Sequence, residues 1–157
     1  MKRILLTPIL LAMVLTFSFA GHAPAQGWKG FGIIVGEPTG ISGKIWMNET
    51  KAFDGAVAWS FTDETKLHFH ADMLYHNWDV LADALEVTKG RLPLYYGIGG
   101  RVRVEDEARV GARFVVGASY IFPDAPFDIF LELAPIMDII PKTELNANAG
   151  IGCRFWF

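Results

Sequence analysis

The sequence contains a single cysteine, Cys153, so no disulfide can form within the chain and no cysteine-rich zinc cluster is possible. The net charge is only −3 at pH 7, which provides no strongly basic field to recruit nucleic acid. Hydrophobic residues make up 52% of the chain, yet beyond Ala20 no apolar run approaches the length of a membrane helix. If the protein lies in a membrane, it must cross as closed strands, because open sheet edges are not tolerated in lipid.

The N-terminus has the features of an export signal. A positively charged start precedes an uncharged apolar stretch over residues 4–20, and residues 23–25 (Ala-Pro-Ala) match the A-x-A cleavage pattern. An uncleaved membrane anchor is the alternative, since the stretch is nearly long enough to span a bilayer. A proline inside the stretch and the small residues after it favour cleavage. We therefore predict a signal peptide over residues 1–25 and one mature domain over residues 26–157.

Beyond this segment, apolar residues recur with period two, and turn residues interrupt them regularly, which predicts β-strands. The predicted strands are residues 29–37, 41–47, 52–61, 66–78, 92–104, 109–122, 127–135 and 144–157. The longest predicted connection is residues 79–91, and residues 135–143 are predicted to form a modest outer loop.

Charged residues keep to one face of at least six of these strands. In the fifth strand, for example, Tyr96 and Ile98 lie on the face opposite Arg101 and Arg103. A soluble sandwich also alternates, and a lipocalin-like barrel would place its apolar face inside. Glycines, however, share the charged face, and aromatic residues lie near both ends of the apolar faces. This combination is typical of a narrow polar lumen and of aromatic girdles around a lipid-facing band.

The length of the mature chain sets the number of strands. About 130 residues accommodate eight membrane strands of roughly 9–11 residues, and not sixteen. We therefore predict an all-β, eight-stranded antiparallel up-and-down transmembrane β-barrel in the bacterial outer membrane. Side chains just fill the interior of a barrel of this size, so an open diffusion pore is not expected.

The last strand carries a second indication. Its alternating residues Ile151, Cys153 and Phe155 lead to a terminal Phe157. This pattern resembles the C-terminal signal by which bacterial outer-membrane proteins are recognised for assembly. It also predicts that Cys153 faces lipid and is not a reactive thiol.

Three segments carry a family resemblance: residues 36–40 (GEPTG), 92–101 (LPLYYGIGGR) and 125–132 (APFDIFLE). They resemble segments of small uncharacterised bacterial outer-membrane barrels, a family similar in architecture to the OmpA transmembrane domain. The resemblance covers essentially the whole mature chain. It implies the fold and the location but no catalytic residues, because the family has no established activity. We expect a monomer with no cofactor, whose partners are outer-membrane lipids and the barrel assembly machinery.

The first candidate site is a histidine cluster on the fourth strand. His68, His70 and Asp72 share one face with His76, and neighbouring same-face positions lie about 6.6–6.8 Å apart, within reach of a shared metal. The alternative is that these side chains hydrogen-bond to carboxylates and arginines in a polar lumen. We favour the second interpretation and predict no metal, because no independent motif supplies further ligands.

The second candidate is a set of ionisable residues whose parity points them inward. These residues are Lys44, Asp54, Asp72, Arg101, Arg103, Arg113, Asp128, Glu132 and Arg154. Unpaired charge in a narrow lumen is costly, so we predict that they pair across strands. The set is either a structural network that fills the lumen or a gate whose rearrangement admits ions. We favour the structural network, and the gated channel is the main alternative.

The third candidate is a lipid-modifying enzyme. Such chemistry needs a nucleophile beside a histidine, and the inward serines Ser42, Ser60 and Ser119 are available with His68 or His70 as bases. Nothing in the sequence places them together. We therefore predict no catalytic residues and a structural or surface-interaction role in the cell envelope.

The connection over residues 79–91 predicts one short amphipathic helix. Val80, Leu81, Ala84, Leu85 and Val87 would form its apolar side, and Asp79 is a possible N-cap. If both chain ends are periplasmic, this connection is periplasmic too. That conflicts with the short periplasmic turns usual in small barrels. Either strands four and five extend further into this segment, or a periplasmic helix or lid exists.

Overall fold

The computed structural model describes residues 27–60, 66–104 and 107–157. The predicted signal peptide, its cleavage site and the turns at residues 61–65 and 105–106 lie outside the described residues. The strands are β1 (Lys29–Gly36), β2 (Gly40–Trp46), β3 (Lys51–Ser60), β4 (Lys66–Asn77), β5 (Leu94–Val104), β6 (Arg109–Ile121), β7 (Phe127–Ile140) and β8 (Glu144–Trp156). One short helix, α1 (Val80–Ala84), lies between β4 and β5. Within the described ranges, no helix has the length and apolar character needed to cross a membrane.

Each strand pairs antiparallel with the next, and β8 returns to pair with β1, which closes the sheet into a barrel. At the closure, Cys153 faces Ile33 and Arg154 faces Gly32. The predicted eight-stranded antiparallel up-and-down barrel is confirmed. Closure leaves no unpaired sheet edge, because every strand has a pairing partner on both sides.

One row of register partners shows how polarity is arranged around the wall. It follows the register partners through every strand, and all its side chains point outward and are exposed: Ile129, Cys153, Ile33, Ile41, Val57, Phe69, Val102 and Val110. The row contains no charged residue. Large apolar side chains therefore cover the outside of the barrel, the reverse of a water-soluble protein.

β7 is longer than predicted. It continues through Pro135 to Ile140, so the predicted outer loop over residues 135–143 is wrong, and only a short turn separates β7 from β8. Proline has no backbone N–H, which argues from sequence for the end of a strand. In the barrel, Pro135 faces outward and keeps its register with Ala147 of β8. The pairing with β6 is interrupted at this position, so the missing donor is tolerated.

The connection over residues 79–91 lies at the same end of the barrel as Gly27 and Phe157, which we call the terminal end; the opposite end is the far end. The predicted helix is present but spans only Val80–Ala84, and none of its residues is buried. Asp79 occupies the N-cap position, but its side chain makes no capping hydrogen bond. The amide groups of Asp79 and Val80 donate instead to Asn77 Oδ1, both at 3.1 Å.

Candidate functional site

The inside of the barrel is lined with ionisable and polar side chains. Three arginines, Arg101, Arg113 and Arg154, are fully buried there, and each contacts at least one carboxylate. Between these clusters lie apolar side chains, among them Leu74, Phe130 and Val115. The interior therefore combines buried charged groups with apolar packing, so its polarity is the inverse of that of a water-soluble core.

Arg154 of β8 forms the cluster nearest the terminal end. Its guanidinium contacts both oxygens of Asp128 at 3.3 Å and also binds Asp54 of β3. The ring of Phe130 lies 3.9 Å from the guanidinium carbon, which gives a cation–π contact on its flat face. Two carboxylates and one aromatic ring thus compensate for the burial of this arginine.

Arg113 of β6 forms the middle cluster. Its Nε donates to Asp72 Oδ2 at 2.9 Å, and its Nη2 donates to Glu132. Asp72 and Arg113 are separated in register by Gly99 of β5, and a Cβ at Gly99 would overlap the Asp72 carboxylate. The absence of a side chain at Gly99 is therefore what lets Arg113 reach across a whole strand.

Arg101 of β5 forms the cluster nearest the far end. It binds both oxygens of Asp138, and its Nη1 donates to Asn148 Oδ1 at 3.3 Å. The amide of Asn146 also donates to Asp138, at 2.7 Å. The sequence analysis missed Asp138 because it ended β7 at Pro135. Asp128 and Glu132 both point inward, and extending the same alternation past Pro135 would have identified Asp138 as a third inward carboxylate.

Lys44 has a different partner from the arginines. Its Nζ lies 2.7 Å from Nε2 of His76 and donates to it, while Nδ1 of His76 lies 3.3 Å from the carbonyl oxygen of Thr50. The ammonium also lies 4.6 Å from the ring centroid of Tyr95. His76 therefore serves as a hydrogen-bond acceptor for a buried lysine. Arg103, the remaining predicted member of the ionic set, lies half-buried at the far end beside His68 in register.

The histidine candidates are adjacent but do not form a metal centre. His70 Nδ1 lies 3.3 Å from His68 Nε2, and His70 Nε2 lies 3.9 Å from Asp72 Oδ2. That oxygen already accepts a hydrogen bond from Arg113. Among the residues that the structure describes, no group of three or more His, Cys, Asp or Glu side chains is arranged to hold a metal ion.

The structure separates Ser42 from the histidines of β4. Ser42 shares a register row with His70, but Ala56 lies between them, which corresponds to two strand spacings or about 10 Å. The hydroxyl of Ser119 is buried without a hydrogen-bond partner. The side chain of Ser60 lies outside the described residues. A serine–histidine contact of the kind that activates a nucleophile needs about 2.6–3.2 Å.

A pocket of about 520 Å³ opens at the terminal end of the barrel. Four tryptophans contribute to its wall: Trp28, Trp46, Trp78 and Trp156. The sequence analysis did not predict this pocket, because the four residues are widely separated in the chain. Only the closure of β1 onto β8 and the turn of the chain after β4 bring them together.

The geometry thus defines a closed eight-stranded barrel with an apolar outside and an ionic interior. Among solved structures, it is similar to the N-terminal β-barrel domain of Pseudomonas aeruginosa OprF, with a TM-score of 0.53 and 15% sequence identity over 81% of this chain and 93% of that chain. No protein-family model matches the sequence, and no curated protein matches it. The likeness is one of fold: an OprF- and OmpA-like eight-stranded barrel.

Proposed function

We propose that this protein is an integral outer-membrane barrel that serves a structural or surface-interaction role in the cell envelope. The observation that carries the proposal is the inverted polarity of the wall: a charge-free outward row around all eight strands, set against arginine–carboxylate clusters inside. In water, such an apolar outer surface would cause the protein to associate, whereas in a lipid bilayer it would contact acyl chains. The likeness to the OprF barrel domain supports the same location.

The partners we propose follow from this location. The outward apolar row would contact the acyl chains of outer-membrane lipids, and stacked Tyr75 and Tyr96, with Lys51 over Tyr75, would lie near a membrane interface. The barrel assembly machinery would insert the chain. Barrels of this fold are typically non-enzymatic, and the separation of Ser42 from His70 supports a protein without catalytic residues.

Fractionation and gel migration test the location. The protein should enter the outer-membrane fraction and should migrate faster on gels before boiling than after, because a closed barrel resists detergent denaturation. A soluble periplasmic protein with a single migration rate would contradict the proposal.

A small gated ion channel is the second candidate, and one observation favours it. In the middle cluster, Asp72 Oδ1 and Arg113 Nη1 are both buried without a hydrogen-bond partner, so this ion pair has unused bonding capacity for a second arrangement. In planar bilayers, the structural barrel should show no steady conductance, and Glu132→Ala should give the same traces as the parent. A steady current, or one that changes with this substitution, would favour the channel.

A further inference from the structure

The pocket at the terminal end is dominated by tryptophan. Four of the five tryptophans in the sequence line it, and they come from the segment before β1, from β2, from the segment after β4 and from β8. Its volume of about 520 Å³ lies within the usual range of small-molecule sites, about 300–1,000 Å³. The pocket is separate from the three arginine clusters, none of whose arginines or carboxylates lines it.

The indole rings differ in how much surface they leave open: Trp156 is buried, Trp46 and Trp78 are half-buried, and Trp28 is exposed. Trp46 and Trp78 stack with their ring centroids 5.6 Å apart and their planes at 24°. The Trp156 ring centroid lies 6.2 Å from that of Trp46, and Trp28 keeps 61% of its surface exposed. Trp28 therefore provides most of the open aromatic surface of this concave site, and such a surface suits a partner with an apolar face.

Two opposite charges stand at the pocket. The Arg91 guanidinium lies 3.7 Å from the ring centroid of Trp78. Glu49 lies on the β2–β3 turn, and its backbone oxygen accepts a hydrogen bond from Trp78 Nε1 at 2.8 Å, which fixes that turn against the aromatic wall. A ligand that is only an anion would meet Glu49, and one that is only a cation would meet Arg91.

One lining residue, Trp156, also has an unused donor. Trp156 is 3% exposed, and its Nε1 is buried without a hydrogen-bond partner. A buried donor without an acceptor is costly, so a ligand that supplies an oxygen there gains affinity. The ligand must therefore offer acceptors as well as donors.

From these features we propose that the terminal-end pocket binds an uncharged sugar ring, such as one unit of an oligosaccharide. The apolar face of a pyranose would pack on the indole surfaces. Its hydroxyl groups would donate to the Glu49 carboxylate and accept from Arg91 and from Trp156 Nε1. Hydroxyl groups satisfy all three polar groups at once without placing a net charge between Glu49 and Arg91.

Tryptophan fluorescence provides a direct test, because four of five tryptophans lie at the site. The full-length gene is expressed, and the folded barrel is purified in a detergent whose headgroup is not a sugar, since alkyl glycosides would compete. Cellotriose, maltotriose and chitotriose are then titrated, with benzoate and benzyltrimethylammonium as charged probes. At least one oligosaccharide should give a saturable change. Absence of saturation with all three, or tighter binding of either charged probe, would overturn the proposal.

Three variants locate the site. Trp28→Ala should abolish the saturable signal, since it removes the exposed ring. Glu49→Gln should weaken binding about tenfold or more, as expected for loss of a hydrogen bond to a charged group. Glu49→Gln leaves the backbone acceptor of Trp78 in place, so the fold is preserved, and heat-dependent gel migration verifies this. Trp59→Phe, on the outer face of β3, should bind like the parent. Parent-like binding by both pocket variants would place the sugar elsewhere and overturn the proposal.

Discussion

Arg101 of β5 and Asp138 of β7 form a two-point ion pair across Gly111 of β6, with Nε–Oδ1 at 3.1 Å and Nη2–Oδ2 at 2.6 Å. A Cβ at Gly111 would lie 2.5 Å from Asp138 Oδ1. The same arrangement recurs where Gly99 separates Arg113 from Asp72. Inward glycines therefore do more than save space in a narrow lumen: they let ion pairs join strands that are not neighbours.

Removal of Asp138 tests the energetic importance of the far-end cluster. Asp138→Ala leaves Arg101 buried without a charge partner, which should lower the free energy of unfolding by about 3–5 kcal/mol. Urea titration of the folded barrel in detergent, followed by tryptophan fluorescence, measures the change. The control is Glu144→Ala, which removes the exposed partner of Arg109 at 3.1 Å and should cost at most about 1 kcal/mol. Equal losses for the two variants would contradict the predicted importance of the buried pair.

Gly99 and Gly100 are neighbours on β5 but face opposite sides of the barrel wall. Substituting each by alanine therefore compares an added methyl group inside the barrel with one outside it. A methyl group at Gly99 would overlap both the Ala71 carbonyl oxygen and Asp72 Oδ1, so Gly99→Ala should destabilise the barrel by about 1–3 kcal/mol. Gly100 faces outward, and the nearest atom to an added Cβ lies 3.7 Å away, so Gly100→Ala should stay within about 0.5 kcal/mol of the parent. The same urea titration compares them. If Gly100→Ala is the more harmful change, the inward orientation of Gly99 is wrong.

Much of the barrel could be predicted from the sequence, because the same alternation of apolar and polar residues recurs from strand to strand. Period-two alternation in strand after strand gives the faces, and the mature length gives the strand number. A single local feature was misleading: Pro135 interrupts the β6–β7 pairing without ending β7. That error removed Asp138 from the predicted ionic set, and alternation could not reveal that Asn148 binds Arg101.

The candidate sites were harder to predict because partner choice depends on register. Lys44 pairs in register with Asp54, yet its ammonium bonds to His76, two strands away on β4. The tryptophan pocket depends on barrel closure, which joins the two ends of the chain. No pattern within one strand contains that information.

Arginine substitutions at two positions along β7 test whether the outer wall lies in a bilayer. Leu133 lies midway along the outward face of β7, whereas Ile139 lies near its far end. If the wall is in a bilayer, Leu133→Arg should cost about 2–4 kcal/mol and Ile139→Arg about 0–1 kcal/mol. Reversible folding into lipid vesicles under urea measures both. A protein whose outer wall is in water would show no such dependence on depth.

The reactivity of Cys153 provides a second test of whether the outer wall contacts lipid or water. It lies in the outward row between Ile129 and Ile33, exposed on the barrel surface. The thiolate is the nucleophile that attacks thiol reagents, and a lipid environment does not support this charged form. A charged, membrane-impermeant thiol reagent should therefore modify Cys153 slowly in vesicles and rapidly after unfolding in urea. The control is Asp124→Cys in a Cys153→Ser background, on the exposed turn before β7, which should react rapidly in both states. Equal reaction rates for the two folded proteins would mean that Cys153 contacts water, and the proposed bilayer placement of β8 would fail.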